Sequence, residues 1–230
     1  MIAFDKAGVA DKGTIGRDMA ISFTETIERH AASWFINGFN TSYTSYSDGK
    51  PLFSTLHTRV DGGAAFSNAS STGLALTHDN LAAAIQLMSE TLDDRGNMVM
   101  IKPKYLLVPP ALETQALEIV KSSGRSDTAD NVSNVMGMRE YTGGMINVVV
   151  WPYLGSAAGG SDTAWFLLSD TKVLKWYWVE GFKPQIGLTD TTDQNKTGQI
   201  AFAGKMMRAM GWGNPRGIWG SKGDGAANAS

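Results

Sequence analysis

The chain reads as an α+β fold on three observations. Apolar residues recur at helical spacing in three separate stretches, apolar runs of strand length lie between and after them, and Gly- and Ser-rich segments separate the two kinds.

Ser22-Phe23-Thr24-Glu25 has capping-box spacing, in which the Ser hydroxyl and the Glu carboxylate satisfy free backbone N–H groups at a helix start. A helix is expected to follow, with Ile27, Ala31, Trp34 and Phe35 on its apolar side and Glu25, Glu28 and Arg29 elsewhere, until Asn37-Gly38 stops it. From Thr41 to Thr72 the chain is rich in Ser, Thr, Gly and Asn and reads as loops with one short strand around Leu52. Thr77 can cap a second helix, whose Leu81, Ile85, Met88 and Leu92 form a stripe before Asp94-Arg95-Gly96-Asn97 turns the chain. Tyr105 to Val108 is a short strand, and Pro109-Pro110 fixes φ at the start of a third helix carrying Leu112, Ala116, Ile119 and Val120.

Ser122 to Thr142 is polar and contains Gly, so it reads as a surface loop leading to a strand from Met145 to Trp151. Trp165 to Leu168 and Val173 to Val179 flank the turn residues Ser169-Asp170-Thr171-Lys172, and the spacing predicts an antiparallel hairpin. Gly198 to Trp212 is apolar on both faces and reads as one long, mostly buried strand. The small, polar residues 220–230 read as a disordered tail.

Composition limits the function. A chain of 230 residues can bury a substantial core as one domain or two, and with charged residues at 18% much of its surface is suited to meeting protein. The net charge of −2 argues against tight, charge-driven binding of nucleic acid and leaves only weak contact with it. No cysteine is present, so there is neither a disulfide framework nor a thiol nucleophile. The segment MIAFDKAGVADKG lacks the apolar core of a signal peptide, and no run approaches the ~20 apolar residues of a membrane span.

The chemical candidates are few. His30, His57 and His78 have no second ligand at a spacing typical of metal sites. Ser54 and His57 resemble a nucleophile and base, but no G-x-S-x-G elbow surrounds the serine and no orienting acid is evident, so a hydrogen bond that orders the loop is the favoured reading. Asp93-Asp94 are adjacent at a helix end and point apart. The loop Gly211-Trp212-Gly213-Asn214-Pro215-Arg216-Gly217 lacks Walker spacing, and Trp176-Tyr177-Trp178 lacks the interleaved basic residues of a base-stacking platform, so the latter reads as a packed strand. The residues thus assign no catalytic, cofactor-binding or metal site and imply no cofactor.

An ordered set of motifs resembles one family. The segment DGKPLFSTLHTRVDGGAAFSN, Asp48 to Asn68, follows an alanine-containing helix, carries a DGxxLFSxxH loop and a Gly-rich turn ending in Ser-Asn, and precedes a helix, a strand and a Val-Pro-Pro helix start. In that order, over Ser22 to Gly220, these pieces resemble the major capsid proteins of tailed phages, specifically the Mu-like major head subunits. The resemblance implies a fold with a long spine helix and an elongated antiparallel sheet as a peripheral domain, and an inserted α/β axial domain. Phe23 to Phe39 resembles the spine helix, Leu76 to Tyr141 the axial domain, and Val148 to Trp212 the return to the peripheral sheet. The expected divisions are 1–75, 76–147, 148–220 and a tail at 221–230. Only the residues before Ser22 precede the spine segment, where relatives carry an N-terminal arm and an extended hairpin loop.

As function, the resemblance implies self-assembly into pentamers and hexamers that enclose DNA in an icosahedral virion shell, assembled in the bacterial cytoplasm. It further implies other head proteins as partners, no membrane partner, and a place for the Ser122–Thr142 loop near a capsomer axis. Two alternatives are an encapsulin-like nanocompartment that encloses an enzyme, and a soluble hydrolase or sugar-binding module.

Overall fold

The computed structural model describes residues 12–44, 48–124, 133, 134, 136, 146–188 and 202–228. These fall into two compact units, each discontinuous in sequence: one comprises 12–31 with 176–188 and 202–211, the other the remaining described residues up to 175 together with 212–228.

The larger unit is built on a four-stranded sheet in the order β2-β1-β3-β8, where β1 is Pro103–Val108, β2 Asn147–Val150, β3 Trp165–Ser169 and β8 Ile218–Ser221. β1 and β2 run parallel, and β1–β3 and β3–β8 run antiparallel. Side chains alternate between the two faces of a strand, and each face has its own apolar cluster. On one face Leu106, Val108, Trp165, Leu167 and Trp219 pack with Leu81, Ile85 and Met88 of α2 (His78–Ser89) and Ala116, Ile119 and Val120 of α3 (Glu113–Lys121). On the other, Leu107, Phe166 and Ile218 pack with Ala32, Phe35, Phe39, Leu52 and Phe53. Burial on both sides explains why β3 reads as a continuous apolar run.

The helix signals hold well. The Thr77 hydroxyl accepts the Asn80 N–H at 3.2 Å and caps α2, and Pro109-Pro110 leads through a short 3-10 turn into α3. Leu92 lies beyond the end of α2, whose last residue is Ser89.

The first helix is longer than its cap signal suggests. α1 spans Lys12–Ile36, so Ser22 sits inside it, and its carbonyl accepts the Thr26 hydroxyl at 2.8 Å. Tertiary packing accounts for the extra turns. In the smaller unit Phe23 and Met19 lie so close to Gly204 that a Cβ there would come within 2.4 Å of the Phe23 ring and 3.1 Å of Met19 Cε. The stop at Asn37-Gly38 is where the sequence puts it.

Three strand expectations and the reading of the tail are corrected. No strand forms around Leu52; Leu52 and Phe53 are fully buried in irregular backbone. β4 (Leu174–Trp178) does not pair with β3, because β3 is flanked by β1 and β8; β4 pairs with β7 (Arg208–Trp212). The long strand expected over Gly198–Trp212 lies outside the described residues at 198–201 and is otherwise two strands. They are β6 (Phe202–Lys205), paired with β5 (Gln185–Leu188), and β7; residues 203–205 are exposed, and of β7 only Trp212 is buried. The tail is ordered through residue 228: Gly73 N–H donates to the Ala226 carbonyl at 2.8 Å, Gly225 N–H to Gly73 at 2.8 Å and Asn228 N–H to Ser71 at 2.9 Å. Of the Ser122–Thr142 loop only 122–124, 133, 134 and 136 are described, and the rest lies outside the described residues.

Candidate functional site

The segment Asp48–Asn68 is held by buried polar groups, and the residues of its DGxxLFSxxH and Ser-Asn motifs are the ones that hold it. Gly49 has φ 67°, a left-handed conformation that glycine adopts without a Cβ clash, and the Asp48 carboxylate turns back to accept the Lys50 N–H at 3.1 Å. Its other oxygen meets His57 Nδ1 at 2.7 Å, with the side chains 2% and 0% exposed. His57 pairs through its backbone with Phe66 in both directions at 3.0 Å, and the two rings stack at 4.9 Å.

Asn68 completes the lock. Its Oδ1 accepts the Ser54 N–H at 2.8 Å, its Nδ2 donates to the Leu52 carbonyl at 2.7 Å, and its backbone joins Ser54 at 3.1 Å and Gly220 of β8 at 3.0 Å. Loop and sheet edge are thereby fastened without a regular strand, which satisfies buried backbone groups that would otherwise be orphaned. Between the lock's polar residues, Phe53 stacks on Phe166 at 5.2 Å and meets Phe39 at 5.1 Å. Gly220 leaves room for this ring: a Cβ there would lie 2.8 Å from Phe53 and 2.9 Å from Phe166.

Arg216 binds a further segment to the same cluster. Its guanidinium lies 4.1 Å from the Phe66 ring centroid, its Nε donates to the Leu92 carbonyl at 2.6 Å, and its Nη1 donates to Asn214 Oδ1 at 3.2 Å. The 3.0 Å approach of Nη2 to Asp94 Oδ1 is an ion pair whose angle lies outside hydrogen-bond geometry. Arg216 is 6% exposed, so these partners compensate a cation removed from water.

The chemistry available here is structural. The Ser54 hydroxyl is fully buried and accepts the Leu56 N–H at 3.1 Å. His57 Nε2 is buried with no hydrogen-bond partner among the described residues. The acid that the sequence left out is Asp48, nine residues before His57; its signal was the first position of the Asp-Gly turn. Asn68 and Arg216 also went unassigned, and only the ends of their Gly-containing loops marked them.

The other candidates lie apart. Asp93 folds over its own turn, accepting the N–H groups of Arg95 and Asn97 at 2.8 Å and Asn97 Nδ2 at 3.1 Å; these contacts, the Asn97 side chain foremost, hold its carboxyl below the usual range. Asp94 turns to Arg216 instead, so the two carboxylates do point apart. His78 contacts Asp79 in the first turn of α2 at 3.4 Å. In the smaller unit His30 Nδ1 accepts from Arg208 Nε at 3.2 Å, and desolvation, with Arg208 adding to it, pushes the imidazole pKa below 6.5. Arg208 also caps the Trp176 ring at 4.5 Å, and Trp176 meets Trp178 at 5.6 Å.

A cleft of about 180 Å³ lies in the larger unit, lined by Phe35, Phe39 and Phe166 together with Lys222 and Asp224. It is smaller than a typical ligand pocket. Among the described residues no group of three His, Cys, Asp or Glu is placed to hold a metal, and no helix is long and apolar enough to cross a membrane.

No curated protein and no solved structure matches this chain. A family model described as phage capsid protein matches residues 1–221. With a mixed helix-and-sheet fold and a core motif devoted to fastening loops, the chain belongs to the phage capsid protein family and is a structural protein of the virion.

Proposed function

We propose that this chain is the major head subunit of a tailed phage of the Mu-like branch, and that it assembles with itself into pentamers and hexamers forming an icosahedral shell around DNA. The observation that carries the reading is the family match across residues 1–221. Two features support the finer assignment. α1, with 25 residues, is about 37 Å long at the standard rise, which suits a spine helix. The motif residues Asp48, His57 and Asn68, which carry the Mu-like resemblance, are buried fasteners, so the motif records an architecture.

In this reading α1 is the spine, the segment 76–147 expected as an axial domain contributes α2, β1 and α3, and the sheet these elements pack on is completed by β3 and β8 from the segment 148–220 and its end. The Ser122–Thr142 loop stands near a capsomer axis, other head proteins join the shell, and contact with packaged DNA is weak and non-specific. Assembly proceeds in the host cytoplasm, and many modest contacts multiplied over each subunit's neighbours hold the shell.

Sedimentation velocity of the purified chain, followed by nuclease treatment of any fast-moving material, tests this. Large particles protecting DNA support the head reading. Particles that contain an enzyme and no DNA would support a nanocompartment, and a sample sedimenting only as monomer would reject the shell.

A further inference from the structure

Two tryptophans meet in the core of the larger unit and treat their indole N–H groups differently. Trp165 of β3 and Trp219 of β8 have ring centroids 4.8 Å apart and are 0% and 1% exposed. Trp165 Nε1 donates to the Leu74 carbonyl at 2.8 Å. Trp219 Nε1 is also buried, but it has no hydrogen-bond partner among the described residues. Arg216, three residues earlier, repeats the pattern. Its Nε and Nη1 have acceptors, whereas Nη2 is buried without one, its approach to Asp94 Oδ1 being an ion pair outside hydrogen-bond geometry. Folded proteins seldom leave a buried N–H without an acceptor, so two such groups side by side point to a partner they share.

Arg216 and Trp219 line the same cavity, of about 10 Å³, where three segments meet: the Ser67–Asn68 end of the fastened loop, Met88 and Thr91 at the end of α2, and the chain entering β8. That volume is about what one water molecule needs. The lining also supplies acceptors. The Thr91 hydroxyl gives its hydrogen to the Leu87 carbonyl at 3.2 Å, and the Ser67 hydroxyl gives its own to the Ala69 carbonyl, so each oxygen keeps a lone pair to offer. Water accepts two hydrogen bonds and donates two, which matches two N–H donors and two hydroxyl acceptors. A cation would face two donors, one of them on a guanidinium. An anion would compete with the Asp94 carboxylate, which already pairs with Nη2 at 3.0 Å.

We propose that this cavity is the binding site of one structural water, which accepts from Trp219 Nε1 and Arg216 Nη2 and donates to the Thr91 and Ser67 hydroxyls. A bridging water is enthalpically nearly as good as a direct hydrogen bond. It completes the polar fastening of the Asp48–Asn68 segment to β8 and ties the end of α2 into the same network.

Density at a resolution that shows ordered water tests the site directly, from crystals of the full-length chain or from its assembled particles by electron cryomicroscopy. One spherical peak within about 3 Å of both nitrogens is the expected result. A density with no peak there, or one in which both nitrogens bond directly to protein atoms, overturns the proposal. Replacing chloride by bromide in the crystals is expected to leave the site without an anomalous signal, and a strong signal there would show a halide in place of the water. Ultraviolet resonance Raman supplies a second reading that needs no crystal. The spectrum of the parent minus that of Trp219→Phe isolates the Trp219 indole, whose N–H-sensitive mode is expected to be shifted to the lower frequency of a hydrogen-bonded indole; the frequency of an unbonded indole would overturn the site.

Discussion

Asn68 uses both ends of its amide and both of its backbone groups to fasten the Asp48–Asn68 loop. Asn68→Ala leaves the Ser54 N–H and the Leu52 carbonyl buried without partners, and the expected loss of stability is about 2–4 kcal/mol, read as a lower urea midpoint with unchanged slope. His30 gives the molecule a pH response. Its pKa is lowered in the folded state, first by desolvation and then by Arg208, so below pH 6.5 the unfolded chain binds the proton more readily than the folded one. The His30 contribution is therefore complete above that pH and is lost as pH falls toward the folded-state value. His30→Gln is expected to flatten the midpoint-versus-pH curve between about 5 and 7; an unchanged curve would show that the imidazole takes no part. The residue scale was also the least legible in the sequence. The weak-looking Ser54/His57 pair drew attention, yet His57 bonds to Asp48 and Ser54 to Asn68, because a loop that doubles back on itself brings together residues whose spacing matches no known pattern.

Elements governed by local chemistry were readable. The Thr77 cap and the Leu81, Ile85, Met88 stripe gave α2, and the double proline gave the start of α3. Thr77→Ala is expected to cost about 1 kcal/mol and Leu81→Ala, at a fully buried position, about 2–5 kcal/mol, both measurable by thermal denaturation. What local chemistry did not reveal was partner choice. Ser169 to Lys172 carries good turn residues, but a turn dictates a hairpin only if the preceding strand has a free edge, and β1 and β8 occupy both edges of β3. Likewise Ser22-x-x-Glu25 is sound cap chemistry that falls inside helix α1, which starts at Lys12 and packs Met19 and Phe23 against Gly204.

At the scale of the molecule, the two units differ in how well they are sealed. The larger has a sheet packed on both faces, whereas the smaller depends on two-stranded ribbons whose exposed positions include Tyr177, Val179 and Met207. Hydrogen exchange is expected to be slowest at Leu106 and Leu167 and markedly faster across β5–β6 in the unassembled chain, with the ribbons gaining protection on assembly. The α+β class was legible in apolar periodicity and the capsid family in the order of motifs from Ser22 to Gly220, while the ordered tail was not: small residues 222–228 look disordered until Gly73 and Ser71 offer them a backbone edge. Electron microscopy of the purified full-length chain tests the central claim most directly. Closed shells whose capsomers show fivefold and sixfold rotational averages are the predicted result, and a protein that stays a single folded subunit at every concentration reached would contradict it.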